Sequence, residues 1–452
     1  MKILVIGCGK VGGNLIPTLC SENHDVTIVD TNKRNIEELT GKYDVIGVIG
    51  NGASKSILNQ AGVSDTDIVM AMTGNDEINM MCCLLAKKLG GCRTIARIHN
   101  PEYDDNLNIF KEELGLAMTV NPELMAAEET SRVIVRLPSA QKIETFAKGR
   151  VELLKYKLPA GSELSGVRVS DIPKKYKVKV LIGVVERGDD VIIPNGDFVM
   201  QEGDILSVIS TRDNKLAIFN KNIMSKRKVS KCMIAGGGGV AYYLARDLLK
   251  SGVRVTIIDK SLERCRFLSE NLEGAMVINA DAVDTAALEE EGLREMDAFI
   301  AMTNIDETNL LLSLYAKNNS TAKLVTKVHR VSYDDIIRSF DLDTIICPKN
   351  IVSDNILSYV RAMQNSQGSN IETLYRIIGD KAEAIEFAVR GDCPVIGKTL
   401  MEMEIKPDIV VAAIIHGTKV EIPSGESVIS AGDNVVVVTT RSNLKDVSDI
   451  LK

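Results

Sequence analysis

Lys2-Ile3-Leu4-Val5-Ile6-Gly7-Cys8-Gly9-Lys10-Val11-Gly12 opens the chain with a short apolar run that passes directly into a glycine-rich loop. A compact run of Ile, Leu and Val reads as a buried strand, and the glycines behind it read as a tight turn opening a helix. Asp30 closes the next apolar run, 21 residues after Gly9. Strand, glycine loop, helix, strand and acid in that order make the dinucleotide-binding fingerprint. The glycines allow a sharp turn and close approach to a pyrophosphate, the helix N-terminus offers free N–H groups, and the acid accepts bonds from ribose hydroxyls. An acid here repels a 2′-phosphate, so the loop favours NAD(H), or an adenine nucleotide held the same way, over NADP(H).

Working outward, the runs Val26 to Val29, Val45 to Ile49, Ile68 to Met72, Thr94 to Ile98 and Leu116 to Val120 alternate with helical stretches. That alternation predicts a doubly wound parallel sheet with helices on both faces. Asn121-Pro122 then opens a helix through Glu123 to Val135, the expected crossover into the next domain. From Ile143 to Asn220 the pattern changes to short strands, among them Val151 to Leu154 and Val178 to Leu181. Turns are expected at Glu186 to Asp189 and at Asn195-Gly196, so this segment reads as a small α+β domain.

The whole arrangement is then stated again. Gly7, Gly9 and Asp30 return as Gly236, Gly238 and Asp259 at an offset of 229, and Thr73, Asp76, Glu77, Asn79 and Tyr103 return as Thr303, Asp306, Glu307, Asn309 and Tyr333 at 230. Ile193-Pro194, Gly203-Asp204, Thr211-Arg212 and Asn214 return at 229 as Ile422-Pro423, Gly432-Asp433, Thr440-Arg441 and Asn443. The reading is therefore four domains: Rossmann-like units at 1–136 and 229–362, and small α+β units at 137–225 and 366–452. Lys221 to Lys228, rich in Lys and Arg, reads as the polar joint between the halves.

Composition narrows the function. The 452 residues are 45% hydrophobic and 25% charged, the balance of a globular chain. With net charge −7, only 4% aromatics and no Trp, the chain lacks the basic, stacking surface of a nucleic-acid binder. The longest apolar run, Ile409 to Ile415, is far short of the roughly 20 residues that cross a bilayer. The N-terminal run has no leader pattern, so the expected place is the cytoplasm. Nine cysteines form no CxxC and read as buried small hydrophobes, with no metal assigned.

Beyond the loops, Thr73-Gly74-Asn75-Asp76-Glu77 and Thr303-Asn304-Ile305-Asp306-Glu307 open helices at the crevice end of the sheet, where capping and ligand contact are both open readings. Arg97 and Lys327 place a cation at equivalent positions in the fifth strand, within reach of a phosphate. None of the four histidines, His24, His99, His329 and His416, stands in a catalytic frame, and GxSxG, HExxH and Walker sequences are absent. No catalytic residue is assigned.

The duplicated loops with Asp30 and Asp259, Asn51-Gly52-Ala53-Ser54, Thr73 to Asn79, and Ala96-Arg97-Ile98-His99-Asn100-Pro101-Glu102-Tyr103 together resemble the RCK (KTN) regulators of potassium transport, over essentially the whole chain. The resemblance implies a nucleotide-sensing gating subunit that binds NAD(H) and ATP or ADP. It implies four chains in a ring, lying peripherally on the inner face of the membrane against an integral-membrane potassium channel or transporter subunit. The nucleotide contacts it implies are Gly7, Cys8, Gly9, Lys10, Val11, Asp30, Thr73, Gly74 and Arg97 in the first copy. In the second they are Gly236, Gly237, Gly238, Gly239, Val240, Asp259, Thr303 and Lys327. Where the family often has Gly-Asp-Ala after the third strand, this chain has Asn51-Gly52-Ala53 and Ala280-Asp281-Ala282, and Lys327 lacks the bidentate fork of Arg97, so the two sites are expected to differ. The competing readings are an NAD-dependent oxidoreductase with duplicated cofactor domains and a scaffold in which one copy no longer binds.

Overall fold

The computed structural model describes residues 1–136, 138, 140–146, 149–211, 228–329, 340, 342–365, 370–377, 381–391, 393–441 and 444–452. Most of the expected joint at Lys221 to Lys228 lies outside the described residues, as do Arg212, Asn214, Tyr333 and Asn443 of the repeat.

Strands β1 (Lys2–Ile6), β2 (Asp25–Asp30), β3 (Val45–Ile49), β4 (Ile68–Ala71), β5 (Arg93–Arg97) and β6 (Met118–Val120) form one parallel sheet in the order β3-β2-β1-β4-β5-β6. Helices α1 (Gly12–Ser21), α2 (Lys33–Thr40), α3 (Lys55–Gln60), α4 (Asp76–Gly90) and α5 (Leu107–Glu113) connect them. Four of the five residues of β1 are buried, as a central strand covered on both faces requires. Strand order reverses between β1 and β4, which opens a crevice at their C-terminal ends.

α6 (Pro122–Ser131) leads out of this unit. Pro122 stands in its first turn, and Asn121 caps it by accepting from Glu123 N and Leu124 N, both at 3.1 Å. β7 (Lys142–Phe146), β8 (Val151–Lys157), α7 (Ile172–Tyr176), β9 (Leu181–Arg187), β10 (Asp190–Ile192) and β11 (Ile205–Thr211) follow, the strands making an antiparallel sheet ordered β10-β9-β11-β8-β7. The strand expected at Val178 to Leu181 is corrected: it begins only at Leu181. Pro173 sits in the first turn of α7, and Lys177 ends that helix in the left-handed region (φ 52°), leaving Val178 and Val180 buried but outside the ladder.

The second half repeats the plan with β12 (Lys231–Ala235), α8 (Gly239–Lys250), β13 (Arg254–Asp259), α9 (Leu262–Asn271), β14 (Met276–Asn279), α10 (Thr285–Glu290), β15 (Ala298–Ala301), α11 (Asp306–Asn319), β16 (Lys323–Lys327), β17 (Thr344–Ile346) and α12 (Pro348–Asn365). Its parallel sheet runs β14-β13-β12-β15-β16-β17. The last sheet contains β18 (Ile371–Arg376), β19 (Glu383–Ala388), β20 (Ile409–His416), β21 (Lys419–Glu421) and β22 (Asn434–Thr439), ordered β18-β19-β22-β20-β21. The apolar run Ile409 to Ile415 is the inner strand β20. Among the described residues no helix is long and apolar enough to cross a membrane.

The two crossover helices are exchanged. α6 belongs to the first half, yet Ala126 and Ala127 are fully buried in a core with Val240, Ala241 and Leu244 of α8 and with β12 and β13. α12 belongs to the second half, yet Val352, Ile356, Leu357 and Val360 complete the core of Ile3, Val5, Leu15 and Ile16 in the first. Polar contacts fix both dockings: Asn121 Nδ2 reaches Tyr243 Oη at 3.2 Å, Asn14 Nδ2 reaches Ser353 Oγ at 2.9 Å, and Arg361 pairs with Glu22. The small sheets meet face to face as well, with Phe146, Leu153 and Val184 packing with Ala384, Ala413 and Val436.

Candidate functional site

The first glycine loop is built around two glycines that no other residue replaces without strain. Gly7 has φ +89°, its N–H donates to Val29 O at 2.8 Å, and a Cβ there would lie 2.7 Å from Thr73 N. A Cβ on Gly12 would collide with Gly7 O, so the loop and α1 approach as closely as backbones can. Gly9, by contrast, faces open space. Asp30 ends β2 with both carboxylate oxygens held, Oδ2 by Cys8 N (2.7 Å) and Asn35 Nδ2 (3.2 Å) and Oδ1 by Asn32 N (2.7 Å), so that Oδ1 keeps a further lone pair.

A cleft of about 410 Å³ lies over this loop, and Gly7, Gly9, Asp30, Thr73 and Gly74 line it together with Asn51. Five of the first copy's expected residues are thus brought to one crevice. Cys8 and Val11 present only backbone, because their side chains are buried in the core; burial pushes the Cys8 thiol up to about 12. Arg97 Nη1 donates to Thr73 O at 3.1 Å, while its buried Nε meets no partner among the described residues.

Thr73 and Thr303 answer the capping question in an unexpected way. Each hydroxyl donates to the buried Asn79 or Asn309 (2.7 Å), and each asparagine amide also bonds the carbonyl of Arg97 or Lys327 (2.9 Å), tying the fourth and fifth strands. The helix cap itself is Asn75, which accepts from Ile78 N; Ile305 has no such side chain. Asp76, 3% exposed, accepts from His99 N, Asn100 N and His99 Nδ1, and Asp306 holds His329 the same way. These acid–histidine clamps were missed, although the same 23-residue spacing in both halves was their signal.

The second loop repeats the first up to its last glycine. Gly236 has φ +101°, and Gly237 N donates to Asp259 Oδ2 at 2.7 Å. Val240 is buried, and Thr303 N bonds Asn309 Oδ1 at 2.8 Å. Gly239 differs: a Cβ there would lie 2.6 Å from the carboxyl carbon of Glu123, which α6 brings over from the first half. Arg264 lies across Gly237, donating to its carbonyl and stacking on Phe267 at 4.5 Å from the ring centre. Burial pushes the guanidinium of Arg264 down, opposed by Asp259 and Glu123. Lys327 is 4% exposed, and its ammonium is pushed down to about 8 by burial and more weakly by Lys10, against the pull of Glu123 and Asp306. A second cavity of about 480 Å³ joins the halves here, lined by Gly239, Tyr242 and Arg264 of the second half and by Glu77, His99 and Glu123 of the first. Sequence reasoning missed Arg264 and Glu123; the latter acts on a loop of the opposite half, which no local pattern announces.

The TrkA-N domain model matches residues 3–122 and 232–348, and the TrkA-C domain model matches 153–221 and 384–452. A Trk system potassium uptake protein TrkA homolog of Archaeoglobus fulgidus is 31% identical over 452 residues, covering all of both chains. Among solved structures, the GsuK channel bound to NAD aligns with 97% of this chain and 76% of that one (18% identity, TM-score 0.64). GsuK bound to ADP aligns with 80% and 69% (17% identity, TM-score 0.51). Paired Rossmann-like and small α+β units, and matches that span both, lead to one conclusion: this chain belongs to the TrkA family of tandem TrkA-N and TrkA-C domains.

Proposed function

We propose that this chain is a nucleotide-sensing regulatory subunit of potassium uptake, without catalytic chemistry of its own. The observation that carries the reading is the first crevice, where the open face of Gly9 and the clamped carboxylate of Asp30 line, together with Thr73 and Gly74, a cleft large enough for a nucleotide, with Arg97 bonded to the Thr73 carbonyl. Gly7 to Val11 would hold the pyrophosphate of NAD(H) or the phosphates of ATP or ADP. Asp30 would hold the ribose, and Thr73, Gly74 and Arg97 would close the phosphate end. Gly236 to Val240, Asp259, Thr303 and Lys327 form the second set. Relatives named as Trk system proteins, and GsuK structures named as bound to NAD and to ADP, support the same assignment.

The exchanged helices supply the mechanics. Each opens beside the glycine loop of the opposite half, so a ligand that shifts a loop also shifts the helix leading to a small domain. A ligand moves that equilibrium only by binding the two shapes unequally. The output is a pull on an integral-membrane, TrkH-like potassium subunit, exerted by a homotetrameric ring on the inner face of the membrane, and nucleic acid has no part in it.

Calorimetry with NAD, NADH, ADP and ATP tests the reading, each nucleotide being recovered unchanged. Asp30→Ala should weaken binding by about 1.5–3 kcal/mol, the loss of charge-assisted hydrogen bonds. Binding unaffected by Asp30→Ala in a folded protein refutes the site, and consumption of NADH with a metabolite would move the assignment to an oxidoreductase.

A further inference from the structure

The N-terminus of α8 is where the second glycine loop would receive a phosphate. Its first intrahelical bond is Tyr242 N to Gly238 O, so the N–H groups of Gly239, Val240 and Ala241 have no acceptor within the helix, and Gly238 caps it without a side chain. The carboxylate of Glu123 stands against this turn, with its carboxyl carbon 2.6 Å and Oε1 3.1 Å from the place of a Gly239 Cβ. It is not a loose surface acid. Its backbone is fixed by the Asn121 cap, and the helix it starts is buried against α8 through Ala126 and Ala127. Its charge is felt by Lys327 and Arg264, two cations near this loop.

Among the described residues, no acid other than Asp30 lines the cleft over the first glycine loop. In α12 the residue after the opening proline is Lys349, where α6 has Glu123, and the first turns of α12 and α1 meet through Asn350, Ser353 and Asn14. The corresponding positions of the two exchanged helices therefore carry opposite charges.

We propose that Glu123 is the specificity-determining residue of the second site: its carboxylate occupies the phosphate position at the N-terminus of α8, so a pyrophosphate-bearing nucleotide binds there only by displacing it. This rests on the nucleotide-sensing reading above and deepens it. The first site takes nucleotide directly, whereas occupation of the second site moves the first turn of α6 and with it the opposite half. An anion at a helix N-terminus is favourable in itself, and a second anion placed beside it is repelled, by an energy that grows as water is excluded.

The test uses the full chain carrying Asp30→Ala, which weakens the first site by roughly ten- to a hundredfold and so separates the two binding events, with Glu123→Gln added or not. ADP and NAD are titrated in EDTA, so that no divalent ion bridges carboxylate and phosphate. Glutamine keeps the shape and removes the charge; it should tighten nucleotide binding at the second site roughly tenfold or more. In the chain with Asp30 intact, Glu123→Gln should leave the first-site affinity within about twofold, and hydrogen exchange in the first turn of α6 should quicken when wild-type protein is saturated with ADP. Second-site binding that is unchanged or weakened by Glu123→Gln overturns the proposal while leaving the nucleotide reading intact. Failure of every variant, and of wild type, to bind any nucleotide overturns both.

Discussion

Ile356 lies in the second half of the chain, but it is fully buried in the core built by Ile3, Val5, Leu15 and Ile16 of the first. Ile356→Ala removes roughly three buried carbons at about 0.8 kcal/mol each, and the cavity left behind brings the loss to about 3–4 kcal/mol. If α12 is an integral part of the first half's core, that loss appears as opening of β1, β2 and α1, more than 300 residues away in sequence. The assay is native-state hydrogen exchange read by peptide mass spectrometry. Amides in Lys2–Ile6, Gly12–Ser21 and Asp25–Asp30 should exchange on the order of a hundredfold faster, while those of β12 and β13 stay close to wild type. Lost protection confined to the second half's own sheet would refute the exchanged packing.

Lys327→Met should stabilise the chain at pH 7 by up to about 3 kcal/mol, because a lysine whose folded value falls from near 10.5 to about 8 destabilises the fold while protonated in it. The folded state binds fewer protons than the unfolded state between those values, so wild-type stability rises with pH from about 8 to 10.5 and the advantage of Met fades. Urea unfolding at pH 7 and pH 10 reads the difference, and a gap that is constant with pH contradicts the argument. Gly12→Ala should cost about 1–3 kcal/mol in thermal unfolding, since its Cβ meets the carbonyl of Gly7, whereas Gly9→Ala should melt near wild type. Gly9→Ala should instead weaken nucleotide binding in calorimetry; equal effects of the two glycine substitutions on melting would contradict the loop geometry.

The parallel sheets and both glycine loops were legible because each rests on local signals: β-branched runs, glycines at fixed offsets, and acids ending the second strand. Internal repetition did the rest, since any feature present twice at one offset is one structural unit. Val178 to Leu181 shows a limit of the same method. Its alternation is real, and Val178 and Val180 do pack in the core, but they follow directly on the helix that ends at Lys177, and ladder pairing starts only at Leu181. The role of Asn79 was hidden for a different reason: its side chain is satisfied by backbone atoms of two strands, a match that only the assembled sheet defines. The exchange of α6 and α12 left no mark, because an amphipathic helix buries the same residues whichever half receives it.

That exchange makes the chain a symmetric dimer folded from one polypeptide. Two separate identical copies would swap helices across an isologous contact, dissociate on dilution, and carry the same residue at both equivalent positions. Covalent continuity holds the partners at a high effective concentration whatever the expression level, and it removes the obligation of sameness. Glu123 and Lys349 are what that freedom permits: a pseudo-twofold interface whose halves have drifted to opposite signs, so that one fold inherited twice offers two receptors that need not answer to the same signal.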